Sequence, residues 1–358
     1  MEKHEVVIVG AGPAGLKAAE LLGKAGKDVL VIEKNPEKRI GDKPCAGAFP
    51  SHGWHYIPED LLERNFDSLV LYMGQTKTRM MMKHTFLATL SRKKLGQYQL
   101  REAKEAGAEF RCDTKVTGID VDKKEVIISD GTPVTYEHLM GADGSNSVVS
   151  RSLGFKNPAL FNCIEYEVPG EFEDFEVCFD LKRFGMTYNW LFPHDGYASI
   201  GTGTFTKLHP ASEMYGWLGE WCTEKDIDLI KYKPRAHPIN FSYNGFRHGD
   251  IFLTGDAASF LCTFTAEGIY QAIRSGEIAA NAIIDPKYNW RKDIRDLLRY
   301  HKVGWWAISL LNSFPELGKK IVEDAGGKAM PILEKGSHVV FSFETISNAV
   351  LSWLWEEP

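Results

Sequence analysis

The sequence predicts a mixed α/β protein with a doubly wound parallel sheet, a separate antiparallel sheet and a helical C-terminal region. Three observations predict it. An apolar run over residues 5–9 leads straight into Gly10-Ala-Gly12-Pro-Ala-Gly15, and a second run, Val29 to Ile32, ends in Glu33. Between residues 109 and 142 the pattern changes to short β segments punctuated by turn residues. Two later strand-like runs end in glycine and acid, at Gly141-Ala-Asp143-Gly144 and at Gly255-Asp256.

Composition narrows the class. With 358 residues, 44% hydrophobic and 25% charged, the chain has the make-up of a globular protein of two or three domains. A net charge of −6 supplies no basic field for nucleic acid. No apolar run approaches the roughly 20 residues that span a bilayer. The six cysteines (45, 112, 163, 178, 222 and 262) form no CxxC and no metal-ligand spacing with histidine. We therefore expect neither disulfides nor a metal, and a cytoplasmic protein.

Each element has a local reason. Gly10 permits the tight turn after the first strand, Gly12 lets backbone approach a pyrophosphate, and Gly15 lets the helix over residues 13–25 pack on that strand. Gly26 stops this helix. Glu33, at the end of the neighbouring strand, is placed to accept the ribose hydroxyls of an adenosine, which favours FAD or NAD over NADP. A loop of small residues follows, Gly41-Asp-Lys43-Pro-Cys45-Ala46-Gly47-Ala48, suited to lying flat against a ring system. Residues 68–82 read as a hairpin and 92–106 as a helix with Leu95, Tyr98, Leu100 and Ala103 inward. Residues 115–122, 125–129 and 133–136 read as a β-meander, and 139–142 as a separate strand returning to the parallel sheet. Strands are expected at 177–181, 188–192, 197–205 and 238–243, helices at 210–224 and 268–284. We expect a discontinuous cofactor domain (1–67, 84–160, 245–286), an antiparallel-sheet substrate domain (68–83, 161–244) and a helical region (287–358).

Three glycine–acid elements in this order resemble the glutathione-reductase-type FAD-dependent oxidoreductases, over roughly residues 1–285. The resemblance implies a Rossmann-like FAD-binding domain with a β-meander, and FAD as cofactor. It implies that Ala14, Lys34 and Val116 join Gly10, Gly12, Gly15 and Glu33 in binding it. Arg92 would lie near the phosphates or ribityl chain, and Asp256 near the ribityl–pyrophosphate region. The helix opened by Gly268-Ile269 would aim its N–H groups at the flavin's pyrimidine edge. Asp143 would support the site structurally.

Two motifs narrow the resemblance. Lys43-Pro-Cys45-Ala46-Gly47, and Tyr188-Asn-Trp190-Leu-Phe192-Pro193, resemble the cysteine loop and the Tyr-x-Trp-x-Phe-Pro motif of the geranylgeranyl reductase family, including the digeranylgeranylglycerophospholipid reductases. Period-two spacing puts Tyr188, Trp190 and Phe192 on one strand face. The resemblance implies reduction of prenyl C=C bonds by hydride from reduced flavin. Cys45, Ala46 and Gly47 would lie against the cofactor, and Tyr188, Trp190, Phe192 and Pro193 against the substrate. Cys45 and Tyr188 are the candidate catalytic residues; proton donation, redox sensing and loop gating all remain open for Cys45. The chain departs from the family at Ala46, Ala48, Ser259, Thr263 and Ala266. Expected partners are an isoprenoid lipid or prenyl diphosphate and an external electron donor (reduced ferredoxin, NAD(P)H or a deazaflavin), since no second GxGxxG occurs. The tryptophan-bearing segment 349–357 raises a peripheral membrane contact. The competing expectations are a flavin monooxygenase or halogenase of the same fold, and a non-catalytic flavin-binding redox protein.

Overall fold

The structure is a computed structural model that describes residues 2–314, apart from 75, 83, 157–159, 186, 206–208 and 264. The expected fold class is the one observed. The first strand, Glu2–Val9, lies between Val29–Ile32 and Pro133–Gly141, parallel to both. Ile251–Leu253 and Glu109–Arg111 extend the parallel array on either side. Val6 to Val9 and Val29 to Ile32 are all buried, the continuous apolar pattern of a sheet covered on both faces. The covering helices, Pro13–Lys24 and Ile269–Ile284, cross closely: a Cβ on Gly276 would sit 2.1 Å from the Ala14 carbonyl oxygen.

Residues 133–136 and 139–142 do not form two strands. Pro133–Gly141 is one, whose start pairs antiparallel with Glu125–Ile128 while its length runs parallel to Glu2–Val9. The polar pair Glu137-His138 imitates a break in the sequence, but the neighbouring backbone holds the strand through it.

The second sheet has seven strands, in the spatial order Arg235–Asn240, Leu160–Pro169, Tyr197–Phe205, Tyr188–Pro193, Glu176–Phe179, Ser68–Met73 and Thr76–Met81. All neighbours are antiparallel except Ser68–Met73 with Glu176–Phe179. The strand expected at 177–181 stops at Phe179, because the Asp180 side chain accepts from Arg183 N and caps a helical turn, Leu181–Phe184. Helix Ala211–Thr223 covers one face of the sheet with Trp217, Leu218 and Trp221. A third sheet joins Ala48–Pro50, Leu87–Leu90 and Leu62–Phe66, with no counterpart in the sequence reading. The helical region begins with Trp290–Ser313. Trp353 and Trp355 lie outside the described residues. Among the described residues, no helix is long and apolar enough to cross a membrane.

Candidate active site

A single cavity of about 770 Å³ runs from the glycine fingerprint, past the cysteine loop, to the aromatic strand. Its first end is a turn that only glycine can make. Gly10 has φ +101°, and a Cβ there would meet the Ala142 carbonyl oxygen at 2.5 Å. Gly15 is enclosed by protein: its Cβ would lie 2.1 Å from Gly10 O. Gly12 is not, since its nearest neighbour would be Ala142 O at 3.7 Å, so open cavity is what a side chain there would fill. Glu33 is buried at the adjoining strand end, with Oε2 accepting from Ala11 N at 2.8 Å and Oε1 from Asn35 N at 2.9 Å.

Two helices open onto the cavity with bare N-termini. Pro13–Lys24 and Ile269–Ile284 have Gly12 and Gly268 as N-caps, and neither has a capping side chain. Their unpaired N–H groups and dipoles favour an anionic or electron-rich ligand. Asp143 is committed to the protein through one oxygen, since its Oδ2 accepts from Val148 N at 2.6 Å, while its buried Oδ1 has no hydrogen-bond partner among the described residues.

The middle of the cavity is charged. Lys43 Nζ donates to Asp256 Oδ2 at 2.9 Å and ties the cysteine loop to the third glycine–acid element. Burial pushes the Asp256 carboxyl up, but the Lys43 charge and hydrogen bond outweigh it and hold the group below the usual carboxylate range. Arg92 Nη1 and His237 Nε2 are buried and have no hydrogen-bond partner among the described residues. Burial and the Lys43 charge depress the His237 imidazole to about 3. Buried polar atoms without partners are costly, about 1–3 kcal/mol each, unless a ligand takes them up. Together with the space at Gly12 and the two bare helix ends, they fit a dinucleotide with a central diphosphate.

The loop around Cys45 is clamped. His194 Nε2 donates to the Ala46 carbonyl at 3.1 Å, while its Nδ1 faces Glu63 Oε2 at 2.7 Å. Glu63 is pushed up by burial but held down overall by His194 and Lys94. Gly47, at φ +74°, has no room for a Cβ, which would strike His194 Cε1 at 2.6 Å. Burial raises the Cys45 thiol, so it is not a ready thiolate.

The far wall is the open face of the seven-stranded sheet. Tyr188, Trp190 and Phe192 share it and line the cavity. Pro193, expected against the substrate, is not among the lining residues: it is next along the strand and on the opposite face, and its carbonyl accepts from Thr89 Oγ1 at 2.7 Å. Gly201 and Gly203 on the central strand give the rings room, since a Cβ on Gly201 would stand 2.3 Å from Trp190 Cζ2. Phe175 stacks on Phe192 with centroids 3.8 Å apart. Leu69, Leu71, Met80 and Phe179 complete an apolar arm. Tyr188 donates its hydroxyl to the Thr265 carbonyl at 2.6 Å, and burial raises its phenol strongly.

The cavity is thus lined by Gly10, Gly12, Ala14, Glu33, Lys34, Cys45, Ala46, Gly47, Arg92, Val116, Asp256, Gly268 and Ile269 as well as the aromatic trio. Of the expected site residues, only Gly15 and Pro193 stand off its wall. Sequence reasoning missed His237, the Glu63–His194 pair, and two carboxyls on the wall, the buried Glu165 and the half-buried Glu267. Burial pushes each of these carboxyls to about 7. Glu165 had a readable signal: it continues the alternating face of Phe161 and Cys163, where an acid is out of place.

Residues 4–171 match the pyridine nucleotide-disulphide oxidoreductase family. The chain is 29% identical to digeranylgeranylglycerophospholipid reductase 2 of Methanothermobacter thermautotrophicus, over 83% of this chain and 82% of that one. It is 27% identical to the chloroplastic geranylgeranyl diphosphate reductase of Arabidopsis thaliana, over 83% of this chain and 70% of that one. The chain is a homologue of the geranylgeranyl reductases. The crystal structure of a geranylgeranyl bacteriochlorophyll reductase-like protein from Thermoplasma acidophilum shares the fold, with a TM-score of 0.80 at 20% identity, covering 98% of this chain and 96% of that one. Family and cradle together indicate FAD as the cofactor.

Proposed function

We propose that the chain is an FAD-dependent oxidoreductase that saturates C=C double bonds of a prenyl chain of geranylgeranyl type. The observation that carries this reading is the continuity of the cavity, in which a dinucleotide cradle opens directly onto an apolar arm floored by Tyr188, Trp190 and Phe192. When bound and reduced, FAD supplies the hydride.

The chain's own residues then have separable tasks. Gly10, Gly12, Ala14, Glu33, Lys34 and Val116 hold the adenosine half of the cofactor, Arg92 and Asp256 the phosphate and ribityl region, and Gly268 with Ile269 the ring edge. Cys45, Ala46 and Gly47 would line the ring's site, on a loop fixed by Lys43 and His194. The apolar arm takes the isoprenoid, with each methylene-sized group removed from water contributing about 0.8 kcal/mol. An unactivated alkene offers no carbonyl to polarise, so positioning, dryness and a proton source carry the protein's share. The substrate is an isoprenoid lipid or a prenyl diphosphate. Electrons come from an external donor: reduced ferredoxin, NAD(P)H or a deazaflavin. The tryptophan-bearing C-terminal segment would meet the membrane from which such a lipid is drawn.

The test is anaerobic mixing of dithionite-reduced protein with geranylgeranyl diphosphate or digeranylgeranylglycerophospholipid. We expect the flavin spectrum to return to the oxidised form as the prenyl product gains mass in steps of two hydrogens. Reoxidation by oxygen alone, with a hydroxylated or halogenated product, would overturn the reading in favour of a monooxygenase or halogenase. A bound flavin that neither reaction reoxidises would leave a non-catalytic redox protein.

A further inference from the structure

We propose that Glu165 carries the proton this reduction delivers, as a neutral carboxylic acid on the cavity floor between Cys45 and Trp190. The inference rests on the function proposed above.

The placement comes from sheet register. Glu165 is opposite Gly201 on the central strand, and Gly201 is opposite Trp190 on the next. Because position 201 has no side chain, the Trp190 ring lies over it, towards the strand that carries Glu165. The cysteine loop comes from the other side, and the Cys45 backbone N–H faces the Glu165 carboxyl and favours its ionised form. Glu165 is only 4% exposed and lines the same cavity as the predicted flavin and prenyl sites.

The other candidate donors are less suited. The Tyr188 hydroxyl is engaged by Thr265, and burial makes its phenol a weaker acid still. The Cys45 thiol is likewise weakened by burial. Among the described residues, the Glu267 carboxyl accepts from Gln271 Nε2 and no cation pulls on it. Glu165 combines three features of an acid able to work near neutrality. Burial keeps it protonated to about 7, the Cys45 N–H stabilises the carboxylate left after transfer, and Arg235 adds a favourable charge. Glu167 opposes ionisation and His194 favours it. Lys43 and Cys163 complete the nearby wall.

The balance is simple. The alkene π bond breaks, one carbon gains the hydride of the proposed reaction, and its neighbour gains the Glu165 proton. The carboxyl O–H bond breaks and the electron pair stays on Glu165. Solvent water restores the proton, beside Arg235 at the cavity's partly exposed side.

Glu165→Gln keeps the shape and the acceptor for Cys45 N–H but holds no acidic proton. Two measurements test it. Infrared difference spectra of the flavin-stripped protein, between pH 5 and 9, should show protonated-carboxyl C=O absorption from Glu165 and Glu267 that titrates near 7, the Glu165 part being lost in Glu165→Gln and the Glu267 part in Glu267→Gln. Absorption unchanged in Glu165→Gln overturns the proposal whatever the reaction proves to be. In single turnover with geranylgeranyl diphosphate, flavin binding and dithionite reduction should match the parent, while reoxidation slows about 100-fold or more and loses its alkaline limb. A parent-like rate and pH profile, or loss of the limb in Glu267→Gln instead, overturns it too. Failure of the parent protein to turn over, with the infrared band present, would instead tell against the proposed function.

Discussion

Gly12 and Gly15 belong to one motif, yet they should fail in opposite ways. Gly12 has φ −82°, open to any residue, and a Cβ there would find no atom nearer than 3.7 Å. Gly12→Ala should therefore fold, at a cost in helix capping of under about 1 kcal/mol. The added methyl enters the cavity where a diphosphate would come closest to the backbone. Loss or lengthening of one charge-assisted hydrogen bond is worth about 1.5–3 kcal/mol, which corresponds to roughly 10- to 150-fold in FAD affinity. A Cβ on Gly15 would sit 2.1 Å from Gly10 O and 3.1 Å from Ala142 Cβ, so the helix itself must shift. That overpacking should cost about 1–3 kcal/mol even without cofactor. Urea unfolding of the flavin-stripped proteins and titration with FAD, followed by flavin fluorescence, separate the two effects. If Gly12→Ala bound FAD within about threefold of the parent, or unfolded as readily as Gly15→Ala, the assignment of open space to the cofactor would be wrong.

Two further outcomes are expected. Tyr188→Phe removes the donor to Thr265 and should cost about 1–2 kcal/mol in denaturant melts, while prenyl reduction stays within about tenfold of the parent; a much larger fall would return the phenol to the list of acids. Glu165 and Glu267 are raised to about 7, so between pH about 4.5 and 7 the folded state holds protons that the unfolded chain releases. The Glu165 share of the stability of the flavin-stripped protein should fall as pH rises through that window, by roughly 3 kcal/mol, read as the parent's melting profile minus that of Glu165→Gln, since the depressed His237 slopes the other way in both; parallel parent and variant profiles would contradict the burial of Glu165.

What could be read in the sequence was what chemistry writes locally. The fingerprint, the acid after the second strand and the turn glycines report their own backbone needs within a few residues, and the aromatic strand announces its cavity face by period two. Partners far apart in the chain left no such mark. The small sheet of Ala48–Pro50, Leu87–Leu90 and Leu62–Phe66 consists of short strands that only pairing makes visible. Strand Pro133–Gly141 looked broken because Glu137 and His138 interrupt its apolar pattern. The clamp on the cysteine loop comes from Glu63 and His194, which no spacing rule links. Glu165 was readable as an acid on an apolar face, but its meaning depends on Cys45 folding over it.

The Lys43–Asp256 ion pair spans most of the distance between the two ends of the cofactor cradle in the chain. During synthesis, the fingerprint and cysteine loop leave the ribosome long before their partners do. The first strand gains one neighbour early, at Val29–Ile32, but the other, Pro133–Gly141, only later, and the helix Ile269–Ile284 that packs on the fingerprint helix later still. Contacts of such long sequence separation form slowly. The flavin cradle is consequently among the last parts of the molecule to be assembled, and free FAD has no complete site to enter until the third glycine–acid element has emerged.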